Sequence, residues 1–293
     1  MALGAASNEQ RELLVPLSKA AIGAPPQIVP KRYEFRLAIQ DMIEGACSWR
    51  MWGLLGWLDI RQRYRRSKIG PLWITISMGA MIAGIGYFYP TLLHASIPRY
   101  LPFLSLGFIV WALLSGIVND DCLAFIGAES IIKQIKLPLT LHVLRVVWRN
   151  LILFAHNMII YVLVATYFGV WPGWSLVLLI PGLVLVCLNG VSMGLLLGSV
   201  SARFRDVPQI VVSILQVFFF LTPIFWQPET LSRQSWLLDL NPFYYFLEVV
   251  RGPLLGEPLS AQIWLVAIVL TVCGWLAAFL MYSQVRRRIA YWL

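Results

Sequence analysis

Five cations fall within the eight positions 61–68: Arg61, Arg63, Arg65, Arg66 and Lys68. Guanidinium forks grip phosphate oxygens two at a time, and the lysine adds a mobile point charge. The cluster is therefore a candidate anion site, and it can equally serve topology alone. Gly70 and Pro71 end it, and no charge follows from Leu72 to Leu93. A dense positive segment against an apolar run fixes the cytoplasmic end of a membrane span. It also sets positive charge where an anionic lipid headgroup arrives. Other chemistry is sparse. The chain has no G-x-x-x-x-G-K-[ST] to cradle a nucleotide phosphate and no H-E-x-x-H to hold zinc. Its cysteines (Cys47, Cys122, Cys187, Cys273) and histidines (His94, His142, His156) are scattered, so no metal site or disulfide framework is expected.

Composition says what kind of scaffold must hold these residues. The 293 residues are 59% hydrophobic and 13% charged, against about 25% charged in soluble domains, and mean hydropathy is +0.74. This is the composition of an all-α, polytopic membrane protein. The net charge of +9 fits the excess of cations on the cytoplasmic side of such proteins, and nucleic acid is not an expected partner. Residues 1–34, with Pro16, Pro25, Pro26 and Pro30, have no continuous apolar stretch and predict a flexible cytoplasmic leader, not a signal peptide.

A helix needs about 20 apolar residues to cross the hydrocarbon. Six stretches qualify, near 72–93, 102–122, 143–167, 175–199, 209–226 and 261–283. The fifth is short and carries Pro223, which predicts a kink. Cations crowd the segment before the first span, the loops after the second and fourth spans, and the C-terminal tail. Both termini are therefore expected in the cytoplasm, with the chain crossing its membrane several times. The organisation expected is a leader at 1–34, an amphipathic helix and basic cluster at 35–70, and a six-helix domain at 71–293.

Within 35–60 the apolar residues recur at a helical period, Trp49, Trp52 and Trp57 supply anchors, and Asp41, Glu44 and Arg50 form a polar side. Such a helix lies in the membrane interface or packs on the chain's own spans. Residues 227–260 are too polar to cross and too apolar for a free loop. Two short helices about Asn241-Pro242, in a re-entrant hairpin, satisfy both limits. Arg145 and Arg149, inside the third span, must snorkel or face water. Asp120 and Asp121 fit a solvated helix end. Glu248 and Arg251, three apart, are placed to pair. Gly190, Gly194 and Gly198 form a small-residue stripe for close helix approach. With few carboxylates inside the spans and no nucleotide site, the energy for any transport is expected from a partner.

The string RYRRSKIGPLW (63–73), the six-span plan, LTPIFW (221–226) and NPFYYFLEVVRGPLLGEP (241–258) occur in this order. From about residue 35 onward the chain resembles the transmembrane permease subunit of polysaccharide-exporting ABC transporters, the O-antigen and capsule group. The resemblance implies a homodimer, two separate ATP-binding cassette ATPase subunits that hold ATP and magnesium, and no cofactor in this chain. It implies a continuous channel walled by spans 1, 2 and 5. Aromatic rings bind the C–H faces of sugars without demanding one sequence. The lining candidates are Trp73, Tyr87, Phe88 and Tyr89, then Phe103, Phe108 and Trp111, then Phe218, Phe219, Phe220, Phe225 and Trp226. The cargo implied is a polyprenyl-pyrophosphate-linked glycan, with Arg61, Arg63, Arg65, Arg66 and Lys68 as its entrance among the membrane lipids. A short coupling helix in 127–145 places Ile131, Ile132 and Ile135 on one side and Glu129, Lys133 and Lys136 on the other. Arg203, Arg205 and Asp206 form a second ATPase contact.

Two other readings stay open. The same fold could export capsular polysaccharide, teichoic acid or a lipid. A membrane-embedded glycosyl- or acyltransferase would need an acid or base at the outer interface, where Asp239, Glu248 and Glu257 are the candidates.

Overall fold

Apolar segments in hydrocarbon must satisfy every backbone N–H and C=O internally, and a helix does so within one segment. In the computed structural model the described residues, 31–63, 65, 72–93, 96–228, 235–258 and 260–293, form helices joined by short turns, with no strand among them. The helices are α1 Lys31–Cys47, α2 Trp49–Arg63, α3 Leu72–Leu93, α4 Ile97–Cys122, α5 Glu129–Gln134, α6 Thr140–Phe168, α7 Leu179–Arg203, α8 Val207–Leu221, α9 Ser235–Asp239, α10 Pro242–Leu255 and α11 Ala261–Trp292.

Five segments are long and apolar enough to cross a membrane: Leu72–Pro90, Ile97–Cys122, Thr140–Phe168, Gly173–Arg203 and Ala261–Trp292. The fifth of the six expected spans differs. α8 has 15 residues, a length of about 22 Å against the roughly 30 Å of hydrocarbon. No kink forms at Pro223. The helix stops, because a proline disfavours helical backbone in the residue before it, and Thr222 is extended at ψ 137°. Of the non-helical stretch to Trp226, Thr222, Pro223 and Ile224 are buried and Phe225 and Trp226 half-buried. Ile224 is buried against Gly107 of α4, where an added Cβ would lie 2.4 Å from the Ile224 carbonyl oxygen. Asn241 Nδ2 donates to Thr222 Oγ1 at 2.9 Å, and an Arg251 guanidinium N–H donates to the Pro223 carbonyl at 2.6 Å.

α4 is the axis of the molecule, touching α3, α6, α7, α8 and α10. The glycine stripe of α7 works within the chain: Gly190 meets Ile117 and Val147, Gly194 meets Val143 and Asp121, and Gly198 meets Phe125. α9 and α10 are the two short helices expected around Asn241-Pro242. α10 is enclosed by α4, α7 and α11, and the Asn241 side chain caps it by accepting from Phe243 N at 3.0 Å.

The N-terminal region departs from a single helix lying flat. Its helix begins at Lys31, within the expected leader, and breaks at Ser48 into α1, which packs on α6 and α11, and α2, which packs on α6. Ile39, Ile43, Trp49, Leu54 and Trp57 remain exposed on the outer side. Asp41 does not belong to a polar surface: it is 1% exposed. Its carboxylate accepts from Leu139 N and Thr140 N at 3.0 Å, Thr140 Oγ1 and Tyr282 Oη at 2.7 Å, and Arg286 at 2.9 Å. One carboxylate thus ties α1 and the C-terminal part of α11 to the start of α6. All three therefore share one end of the bundle, the end that carries α5. Residues 1–30 lie outside the described part of the chain.

Candidate functional site

Three surfaces gather the residues singled out in the sequence. The first is aromatic. Tyr89 of α3 meets Phe225 at 5.8 Å between centroids, and Phe225 meets Phe219 of α8 at 5.8 Å. Phe219 touches Phe108 and Trp111 of α4, each at 5.9 Å. Phe218 and Phe220 flank it, and Phe243 of α10, absent from the sequence-based set, joins Trp111 at 5.4 Å and Phe218 at 5.0 Å. Side chains far apart in sequence therefore form one continuous block. Of the lining candidates, Phe103, Phe108 and Trp111 are buried, Tyr87, Phe88 and Phe220 are exposed, and Tyr89, Phe218, Phe219, Phe225 and Trp226 are half-buried. Trp73 is exposed at the opposite end of α3 from Tyr87. Phe103 is covered by the Arg251 guanidinium, 4.0 Å from its ring centroid. Arg251 pairs with Glu248 as the spacing predicts, and the pair is buried.

The second surface is the α5 end. Glu129 and Lys133 pair at 2.7 Å one turn apart on α5. That hydrogen bond, with the charges of Lys133 and Arg205, holds the Glu129 carboxyl below its ordinary value. Ile131 and Ile132 are half-buried, and Ile132 packs on the core. Ile135 lies past the helix in extended backbone, exposed, so the helix is shorter than the spacing suggests. Lys136 is exposed beside it. Arg203 and Arg205 flank the α7–α8 turn. Arg203 covers the rings of Phe204 and Trp292, and Arg205 reaches the Leu293 carbonyl at 3.4 Å. Asp206 precedes α8 and is exposed. The two segments named as ATPase contacts thus converge with the C-terminal turn of α11.

The third is the basic segment. Arg61 and Arg63 close α2, and both they and Arg65 are exposed; Arg66 and Lys68 lie outside the described residues. Behind Arg63, Arg145 and Arg149 of α6 are half-buried and paired with carboxylates. Arg145 is paired with Asp59 of α2, and Arg149 reaches Asp59 at 3.1 Å and Asp120 at 2.7 Å. Asn150 donates to Asp120 at 3.0 Å. The solvated helix end expected at 120–121 is not what forms: Asp120 is in this network and Asp121 is fully buried. Asp59 was missed in the sequence, although two arginines one turn apart in an apolar helix demand carboxylates at their level.

Among the described residues, no group of three His, Cys, Asp or Glu converges on a metal position. Gly190–Gly194 spells G-x-S-x-G, but it runs through the middle of α7. Ser192 is buried and donates to the Asn189 carbonyl at 2.9 Å, without the strand-to-helix elbow that exposes a nucleophile.

An apolar helical bundle with five segments long enough to cross a membrane is the form of a polytopic membrane protein. The chain belongs to the ABC-2 type transporter family, whose profile matches residues 51–255. It is thus a multi-pass membrane protein that partners an ATP-binding cassette subunit, where ATP is hydrolysed. It is similar to the O-antigen export system permease protein RfbA of Myxococcus xanthus, with 26% identity over 188 residues, 63% of this chain and 72% of that protein.

Proposed function

We propose that this chain forms the channel of an ATP-driven exporter of lipid-linked polysaccharide, with O-antigen as the cargo, across the bacterial inner membrane. The observation that carries this reading is the continuous aromatic block from Tyr89 through Phe225 and Phe219 to α4, flanked by exposed Tyr87, Phe88 and Phe220. Together with the likeness to an O-antigen export permease, it supports a sugar-binding path. Two copies of the chain enclose that path, with the exposed aromatics of α3 and α8 as its lining. The buried Phe103, Phe108 and Trp111 hold the wall in shape.

The polyprenyl pyrophosphate is drawn to the cations of 61–68, five charges against two or three on the ligand. The α5 end, cytoplasmic in this reading together with both termini, receives two ATPase subunits, which hold ATP and magnesium. α5 and the α7–α8 turn pass their motion to α6 and α8. The decisive experiment is export in cells lacking the chain, complemented by Tyr87→Ala, Phe88→Ala and Phe220→Ala. Slowed appearance of surface O-antigen with normal assembly supports the path. Unchanged export in all three, singly and combined, refutes it. Export of a capsular polymer or teichoic acid by the same complemented cells assigns a different cargo to the same channel.

A further inference from the structure

The seam between α2 and α6 carries two adjoining cavities of opposite character. The first, of about 180 Å³, is polar and is lined by Asp59, Arg63, Asp120, His142, Arg145 and Arg149 among others. Its donors are not used up. His142 is 1% exposed with neither ring nitrogen hydrogen-bonded, and Arg149 Nε is buried without a partner. The second, of about 410 Å³, is a largely apolar groove lined by Trp49, Trp52, Trp57 and Trp148, with Leu54, Ile152 and Arg50, whose guanidinium lies over the Trp49 ring. The two share α2 and α6 as walls. Trp148 lines the groove and its neighbour Arg149 the cavity. On α2, Trp52, Gly56, Asp59 and Arg63 follow spacings of four, three and four, one face of a helix. Gly56 lets that face approach α6 closely, since an added Cβ would lie 3.2 Å from the Arg145 carbonyl oxygen.

We propose that this seam is a binding site for one anionic glycerophospholipid. Its phosphate enters the polar cavity and its acyl chains lie in the tryptophan groove. Charge selects this occupant. Three arginines against Asp59 and Asp120 leave one net positive charge, which matches the single negative charge of a phosphodiester. A pyrophosphate carries more, and the sequence offers it four further cations in Arg61, Arg65, Arg66 and Lys68. The free N–H groups of His142 and Arg149 supply donors to the phosphate oxygens, as buried polar groups require. The exposed rings of Trp49 and Trp57 cover the glycerol and upper chains, where amphipathic aromatics settle.

The test is native mass spectrometry of the chain with its ATPase, released from nanodiscs holding equal amounts of phosphatidylglycerol and phosphatidylcholine. One phosphatidylglycerol per chain is expected to survive in preference to phosphatidylcholine. Arg63→Gln, at an exposed position that leaves the fold intact, should lower that retention about fivefold, the weight of one cation beside an anionic headgroup. His142→Gln and Trp57→Ala should lower it as well. Equal retention of the two lipids, or unchanged retention in Arg63→Gln and His142→Gln, overturns the site. Displacement of the lipid by inorganic phosphate alone marks a simple anion pocket and overturns the lipid assignment. Preferential retention of polyprenyl phosphate, when it is added, overturns the proposed occupant.

Discussion

Asp41 shows how much one side chain can hold. Its carboxylate accepts from two backbone N–H groups, two hydroxyls and a guanidinium while 1% exposed. Replacing it by Asn halves its accepting capacity and leaves Arg286 without its counter-charge. Breaking a buried pair from one side costs about 3–5 kcal/mol, so Asp41→Asn should lower the thermal unfolding midpoint of the purified chain by many degrees. Arg286→Gln, at a partly exposed position, should cost less. Gly194 makes a second residue-scale case. A Cβ there would lie 2.3 Å from Val143 Cγ1 and 2.7 Å from Asp121 Oδ1, and overpacking of a tight core costs about 1–3 kcal/mol. Gly194→Leu should therefore destabilise the chain in the same assay. Periodicity made the glycine stripe legible, and three-residue spacing made the Glu248–Arg251 pair legible. Asp41 was not legible: on its own helix it sits among polar neighbours, and it takes α6 and α11 to bury it.

At the scale of elements, α5 is too short to be stable alone, since isolated helices under about 12 residues are marginal in water. It is held by Ile132 against the core and by the Glu129–Lys133 pair. Because Glu129 titrates below its ordinary value, the pair contributes above the usual glutamate range and is lost as pH falls through the lowered value. Lys133→Glu reverses one charge on the proposed coupling surface and sets two acids one turn apart. This variant should weaken capture of the ATPase in pull-down and reduce transport-linked ATP hydrolysis, while the chain itself stays folded. Equal capture by Lys133→Glu and the parent chain would remove α5 from the coupling surface. α8 teaches a different lesson. Its hydropathy reads as a full span, yet Pro223 and the buried docking of Thr222–Phe225 against Gly107 and Arg251 replace the last turns. The proline was visible in the sequence. What it would do instead of kinking depended on the partners waiting in α4 and α10.

For the whole molecule, the contact of Asp41 with Arg286 and of Arg205 with Leu293 places α1 and the C-terminus at one end of the bundle. In a cysteine-free background, Cys introduced at Trp292 and at Glu257 should be labelled by a membrane-impermeant maleimide from opposite sides of the membrane. Labelling of both from the same side would contradict the topology. Membrane character, the cation asymmetry, the family resemblance and the ends of most spans follow from the sequence alone. They depend on composition and local periodicity, which the bilayer itself enforces through helix length and charge. The pairing of Arg145 and Arg149 with Asp59 and Asp120, the aromatic block that recruits Phe243, and the polar cavity beside a tryptophan groove are products of tertiary packing. Each joins side chains from helices far apart in sequence, and no local pattern states which helix will lie against which. The crossing of α2 over α6, with Gly56 at the contact, decides that seam.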